Sequence, residues 1–558
     1  MNKKNFWRGV MIFFLLWMLI ACTPQSTTPS PAAPTSLPAT DTAVPTTEPE
    51  PTMIPSQTPL PEPTNPPPTE VPVPVNFPNP SFETGDLTGW TTDNEAANSL
   101  DDKGHDSAFR LTHQGADAYQ VTTSQTLTGL ENGWYTLHAW VRSSGEQNAV
   151  YIALQCGENE QRAYVPSTMP GYRWLNLVVS NEVTDGTCTI NLVSDANMGN
   201  WASFDDFELL PGQTALSILG ADISSLKKSE DLGGVYRETD GTPGDALDIL
   251  KNHGLNYARL RVWVDPADGY HNKERVLEMA QRFKEKGIKL LVDFHYSDNW
   301  ADPGKQYKPA AWEGLDFPAL KQAMYDYTFD VCSSLVAQGT PPDMVQIGNE
   351  INSGMLWPDG HTWDPPNWDN LAELLTAGYD AVKTCSPDTQ VMIHIAEGGD
   401  NELAKWFFGN ITMRDVPFDV IGISYYPIWH GTLAELQFNL DDISARYDKD
   451  VIVAETAYAF TPANDDKLAN IFGPDLVVSG YPLTKDGQRA FLRDVMAVVR
   501  AVTNGRGLGV FYWDATWTAV DGNGWDNTDP NSGNAWENQA LFDFDGVVLP
   551  ALDEYLNP

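Results

Sequence analysis

From residue 217 to the C-terminus the chain sets out eight short apolar runs with stretches of helical spacing between them, and this alternation restricts the fold more than any other feature. The runs are Ile218 to Asp222, Tyr257 to Val264, Lys289 to His295, Met344 to Asn349, Val391 to Ala396, Val420 to Tyr425, Val451 to Glu455 and Gly509 to Trp513. Helical spacing covers Asp245 to His253, Lys273 to Lys286, Phe317 to Gln338, Asn367 to Cys385, Leu403 to Phe408, Thr432 to Tyr447 and Lys485 to Thr503. Continuous apolar runs, without an exposed polar face, are the mark of parallel strands covered on both sides. Eight of them alternating with helices predict a (β/α)8 TIM barrel with long loops over 217–558. In such a barrel the chemistry sits where the strands emerge at their C-terminal ends.

Two of those ends carry a glutamate. The fourth run finishes Met344-Val-Gln-Ile-Gly-Asn-Glu350 and the seventh finishes Val451-Ile-Val-Ala-Glu455. Strands four and seven face each other across a barrel of this size. Two opposed carboxyls are what hydrolysis of a glycosidic bond with retention requires, one as general acid/base and one as nucleophile. Glu350 is read as the acid/base and Glu455 as the nucleophile. Arg259 and Arg261 alternate onto one face of the second run, so one of them can enter the barrel beside a carboxylate. Glu397, just after the fifth run, is the rival third carboxylate, and His394 reads as a hydrogen-bonded core histidine. Trp357, Trp363, Trp368, Trp429, Trp517 and Trp525 lie in loops on the strand-end side, where some are expected to form sugar subsites.

Several stretches, in order, resemble glycoside hydrolase family 53, the endo-β-1,4-galactanases. They are Gly220 to Ser225, Arg259-Leu-Arg-Val-Trp263, Asp293-Phe-His-Tyr-Ser-Asp298 with Trp300-Ala-Asp-Pro303, Gln346-Ile-Gly-Asn-Glu350, Ser424-Tyr-Tyr-Pro427, Ala454-Glu455-Thr456 and Trp536 to Asp543. The resemblance implies a retaining enzyme acting on β-1,4-galactan or type I arabinogalactan, with no cofactor for the reaction. It implies Arg261 as the cation beside Glu455, Asn349 as donor to the sugar 2-hydroxyl, Tyr425 as hydrogen-bond partner of the nucleophile and Trp513 as the aromatic floor. His295, Asp298 and Trp300 are expected to line the cleft. A structural calcium held near Asp526, Asp529 and Asn531 is a further expectation from some bacterial members. The alternatives are a barrel glycosidase acting on mannan or xylan, and a glycan-binding surface lipoprotein without turnover.

The N-terminal part reads differently. Lys3, Lys4 and Arg8 precede the apolar run Val10 to Ile20, and Leu19-Ile20-Ala21-Cys22 resembles a bacterial lipobox, which implies cleavage before Cys22 and lipidation of its thiol. The expected place is the outer surface of a bacterial cell, held to the membrane by that lipid. Residues 23–75, rich in Pro, Thr and Ser, predict an extended tether without a core. Residues 76–212 carry short alternating runs with turns between them and predict an all-β sandwich. Its ends, Asn79-Pro-Ser-Phe-Glu83 with Gly89-Trp90 and Phe204-Asp-Asp-Phe-Glu-Leu209, resemble a jelly-roll carbohydrate-binding module of family 61. That resemblance implies a calcium shared by Glu83 with Asp205 or Asp206. Trp140, Trp174 and Trp201 are candidate stacking platforms, and Trp90 reads as core.

With Cys22 assigned to lipid, four cysteines remain, two in each folded region, and an oxidising location predicts the pairs Cys156–Cys188 and Cys332–Cys385. The net charge of −41 argues against a nucleic-acid partner, whose phosphates it would repel. A monomer acting on a neutral polysaccharide is expected.

Overall fold

The computed structural model describes residues 72–363 and 365–557. The leader, Cys22 and the tether as far as residue 71 lie outside the described residues.

Two five-stranded sheets form the N-terminal sandwich. One orders Thr91–Thr92, Tyr119–Thr128, Thr187–Ala196, Ala149–Cys156 and Asn159–Tyr164; the other orders Asn98–Asp101, Arg110–Gln114, Trp201–Pro211, Gly133–Ser143 and Leu175–Val183. Every pairing is antiparallel. Alternation decides the faces. On Gly133–Ser143, Tyr135, Leu137, Ala139 and Val141 enter the core, while Trp134, His138, Trp140 and Arg142 face outward. Trp90 is buried against Phe82 and Phe207. Asn98–Asp101, Arg110–Gln114 and Asn159–Tyr164 were not expected as strands, because most of their residues are polar and no apolar run marks them. Cys156 and Cys188 are bonded across neighbouring strands with Cα atoms 4.3 Å apart. Cys332 and Cys385 join two barrel helices, with Cα atoms 6.2 Å apart.

The second region is a closed barrel of eight parallel strands. They are β1 (Ile218–Asp222), β2 (Tyr257–Val262), β3 (Lys289–Phe294), β4 (Met344–Ile347), β5 (Gln390–Ile395), β6 (Val420–Ser424), β7 (Asp450–Thr456) and β8 (Gly507–Tyr512). Most stop one or two residues short of the apolar runs read from sequence. At β4 the cause is visible: Gly348 takes φ of 81° and Glu350 φ of 48°, so the chain leaves the ladder and presents Asn349 and Glu350 above it. The helix expected at 403–408 runs from Asn401 to Thr412, started by Asp400, whose carboxylate accepts from Leu403 N.

Alternation along the strands fills the barrel in layers. Ile218, Tyr257, Leu291, Met344, Met392, Val420, Ile452 and Phe511 make a closed apolar layer. Gly220 belongs beside it because a Cβ there would lie 2.4 Å from the Phe511 ring. Two residues further along, the inward positions become Asp222, Arg259, Asp293, Gln346 and His394, all buried and all polar. The cleft opens above them.

Candidate active site

Arg259 stands at the centre of the polar layer. Its Nη2 lies 2.9 Å from Glu455 Oε1, 2.8 Å from Asp293 Oδ2 and 2.8 Å from Asn349 Oδ1. Its Nη1 donates to Asp222 Oδ2 at 3.0 Å and its Nε to Gln346 Oε1 at 3.2 Å. Three buried carboxylates around one buried guanidinium satisfy charges that would be costly alone.

This corrects the expected partner of Glu455, which is Arg259 and not Arg261. The two arginines share a face of β2, but two residues of strand advance about 7 Å. That step carries Arg261 past the nucleophile toward the loops, where Nη1 lies 3.2 Å from Asp514 Oδ2 and Nη2 donates to Ser225 Oγ at 3.1 Å. Its guanidinium also lies over Trp300, 4.3 Å from the ring centre.

The tyrosine changes in the same way. Tyr425 turns outward and donates to Gly431 O at 3.0 Å. Tyr426 takes the inward position in series with Gly422 and Ser424, and its hydroxyl donates to Glu455 Oε2 at 3.0 Å. Burial and the Glu455 charge hold the Tyr426 phenol well above its usual range, so it remains a donor. Both Glu455 oxygens are thereby engaged from one side.

Glu350 faces Glu455 across this arrangement. Burial, followed by the Glu455 charge, pushes its carboxyl well above the ordinary range, and a hydrogen bond from Ser424 only partly offsets this. Burial raises Glu455 as well, but Arg259 opposes it, so the larger rise falls on Glu350. Two carboxyls in one site with environments that push them apart is the pattern that separates an acid from a nucleophile.

The surrounding residues hold the pair in place. Asn349 donates from Nδ2 to Ala301 O at 2.9 Å, and its backbone carbonyl accepts from Gln306 at 2.7 Å. His394 is buried and its pKa lies well below the usual range, chiefly through burial; its Nε2 meets Ser424 Oγ at 2.8 Å. His295 accepts at Nδ1 from Ala301 N, at 3.1 Å, so its Nε2 carries the proton toward Asp293 at 3.0 Å. The Asp298 carboxylate accepts from the Asp265 and Ala310 amides and braces two loops.

Aromatic rings wall the cleft. Trp513 lies 5.9 Å from Trp300 and 4.8 Å from Trp536 by ring centres, and Trp300 stacks on Trp517. Trp429 packs on Tyr426 and Trp536 and remains 44% exposed. Trp525 and Trp363 are also exposed, Trp357 is half-buried, and Trp368 belongs to the core against Trp406 and Phe407. Glu397 is exposed at φ of 72° beyond β5. Sequence reasoning named Arg259 but favoured Arg261, and it gave Tyr426, Asp293 and Ser424 no role; strict period-two counting from the apolar layer would have found all four.

The expected calcium ligands have other partners. Glu83 accepts from Phe109 N, Asp205 from His105 N and Ser107 Oγ, and Asp206 from Asp106 N, so an ion would compete with these donors. Burial pushes Asp205 up to about 6. Asp526 and Asp529 accept from Thr528 N and Asn531 N in local turns. Among the described residues no group of three or more His, Cys, Asp or Glu is placed to share a metal.

Two opposed glutamates, one with its carboxyl pushed well above the ordinary range and one paired with arginine, at the mouth of a (β/α)8 barrel coincide with a match to the family model Glycosyl hydrolase family 53 over residues 218–555. The chain belongs to glycosyl hydrolase family 53. It is 39% identical over 316 residues to arabinogalactan endo-β-1,4-galactanase A of Aspergillus niger, covering 55% of this chain and 87% of that protein. It is 34% identical over 372 residues to endo-β-1,4-galactanase of Bacillus subtilis, covering 61% and 85%. The solved Ignisphaera aggregans GH53 catalytic domain is similar at 43% identity and a TM-score of 0.59, covering 62% of this chain and 97% of that one. The family 53 match spans the barrel and leaves the sandwich outside it. The protein is a glycoside hydrolase.

Proposed function

We propose that the chain is a retaining endo-β-1,4-galactanase acting on β-1,4-galactan and type I arabinogalactan. The observation that carries the reading is the opposed Glu350 and Glu455, with Arg259 and Tyr426 fixing the latter. Glu455 attacks the anomeric carbon as Glu350 gives its proton to the departing glycosidic oxygen, and the C–O bond breaks. The product is a glycosyl ester on Glu455. Glu350, now ionised, takes a proton from water, whose oxygen displaces Glu455 and restores both carboxyls. Arg259 keeps Glu455 ionised and turned to the sugar. Trp513, Trp300 and Trp536 offer faces on which pyranose rings stack.

The galactanase relatives support the substrate, since loops rather than the barrel set specificity. The lipobox at Cys22 supports attachment outside a bacterial membrane, and the paired cysteines agree with an oxidising compartment. The sandwich, of jelly-roll type, is a galactan-binding module resembling family 61, with Trp140, Trp174 and Trp201 outward on one sheet. Release of reducing ends from galactan, arabinogalactan, mannan and xylan tests the substrate. Galactan and arabinogalactan are expected to be cut at internal bonds; preference for mannan or xylan would overturn the assignment.

A further inference from the structure

Sandwich and barrel lie in one compact unit, Glu70–Pro558, and share a continuous apolar cluster. The join is specific. Asn176 donates its backbone amide to Gln437 Oε1 at 2.7 Å and accepts from Gln437 Nε2 at 2.8 Å. Arg173 lies 4.1 Å from the Phe438 ring centre and Arg493 lies 3.8 Å from that of Tyr164. Gln437 is buried. A two-way amide clamp flanked by two cation–π contacts fixes an orientation, unlike a flexible linker between modules.

The place of the clamp matters more than its strength. Gln437 sits in the second turn of the helix Leu433–Tyr447, which follows β6, and the start of such a helix lies at the catalytic end of the barrel. At that end a Cβ placed on Gly171 would lie 4.0 Å from Glu435 Oε1, and Ser479, in the loop after β7, donates to Glu146 at 3.4 Å. Both sandwich loops therefore lie against segments that follow β6 and β7 on the barrel.

The outward face behind those loops is built of rings around a cation. Trp140 pairs across the sheet with Asn176, the clamped residue. The Arg142 guanidinium lies 5.6 Å from the Tyr172 ring, 5.3 Å from Trp174 and 5.8 Å from Trp201. Its Nε is buried without a hydrogen-bond partner, and no carboxylate pairs with it among the described residues. A guanidinium free of carboxylates can give its hydrogen bonds to sugar hydroxyls while pyranose faces lie on the rings. Tyr172, beside this face, is 55% exposed, and Trp429, 44% exposed, packs on Tyr426, the donor to the nucleophile.

We propose that the cleft and the Arg142–Trp174–Trp201 face form one binding surface, occupied by a single β-1,4-galactan chain that leaves the barrel past Trp429 and crosses the sandwich at Tyr172. This rests on the galactan reading above. The sandwich then supplies distal subsites of the enzyme, and longer chains are better substrates because they reach it.

The test uses the folded chain from residue 72 and a ladder of β-1,4-galacto-oligosaccharides. Calorimetry on Glu350→Ala is expected to show one long oligosaccharide per protein, bound more tightly than one short enough to fit the cleft alone. Kinetics of Trp174→Ala and Arg142→Ala are expected to match wild type on short oligosaccharides, which also certifies folding, and to lose about tenfold in kcat/KM on long ones. Two long oligosaccharides per protein, or variant curves parallel to wild type at every length, would overturn the shared surface while leaving the galactan reading intact. No cleavage of any galacto-oligosaccharide by wild type would overturn both.

Discussion

Leu291 and Asp293 point into the same barrel from the same strand, one in the closed apolar layer and one in the polar layer above. The lower layer is held by contact alone, and any apolar side chain of the right volume serves there. The upper layer is held by charge: Arg259 touches Asp222, Asp293, Glu455, Asn349 and Gln346 at once. About 7 Å of strand separates a region built for stability from one built for chemistry. Substitution in one should be felt as unfolding, and in the other as lost turnover.

Arg259→Ala should erase that boundary and give the largest effect. Removing one partner of a buried ion cluster leaves three buried carboxylates without their shared cation, a loss of about 3–5 kcal/mol on top of abolished turnover. Denaturant unfolding and reducing-end release measure the two together; a stable, active variant would break the comparison. Leu291→Ala lies at the same depth of burial but should cost stability alone, about 2–5 kcal/mol from the cavity, with kcat/KM near wild type below the unfolding range. A selective loss of turnover would show that the lower layer also shapes the site.

The two adjacent tyrosines sharpen the contrast. Tyr426→Phe removes a donor to Glu455, and a lost hydrogen bond of about 1 kcal/mol corresponds to several-fold in rate. Its sign in pH follows from the chemistry. The donor favours ionised Glu455, so without it the nucleophile's pKa rises and the acid limb of the rate profile moves to higher pH. Tyr425→Phe, which loses only a bond to Gly431 O, should leave that limb in place. Equal shifts in the two variants would contradict the assignment of Tyr426.

The barrel and both glutamates were legible because they depend on period and position: apolar runs at regular intervals, with a charge at the end of two of them. What sequence reading misplaced was which neighbour turns inward. Arg261 for Arg259 is a slip of one step along the same face of β2, and Tyr425 for Tyr426 is a slip of one residue in phase, because a continuous apolar run marks neither height nor face. The sandwich strands that escaped notice, such as Arg110–Gln114, carry mostly polar side chains, which pair across the sheet as Arg110 with Asp101 and Thr112 with Ser203 and leave no apolar run. The clamp at Gln437 left no trace in sequence, because a single glutamine that binds a distant backbone has no pattern.

The central claim is that Glu455 forms the covalent bond to the sugar while Glu350 moves the proton. Glu455→Ala, supplied with azide and an activated β-galactoside, tests it most directly. The account predicts that azide restores turnover and that the product, read by proton NMR, is the α-galactosyl azide. A β-azide, or wild-type hydrolysis by the variant without azide, would contradict it.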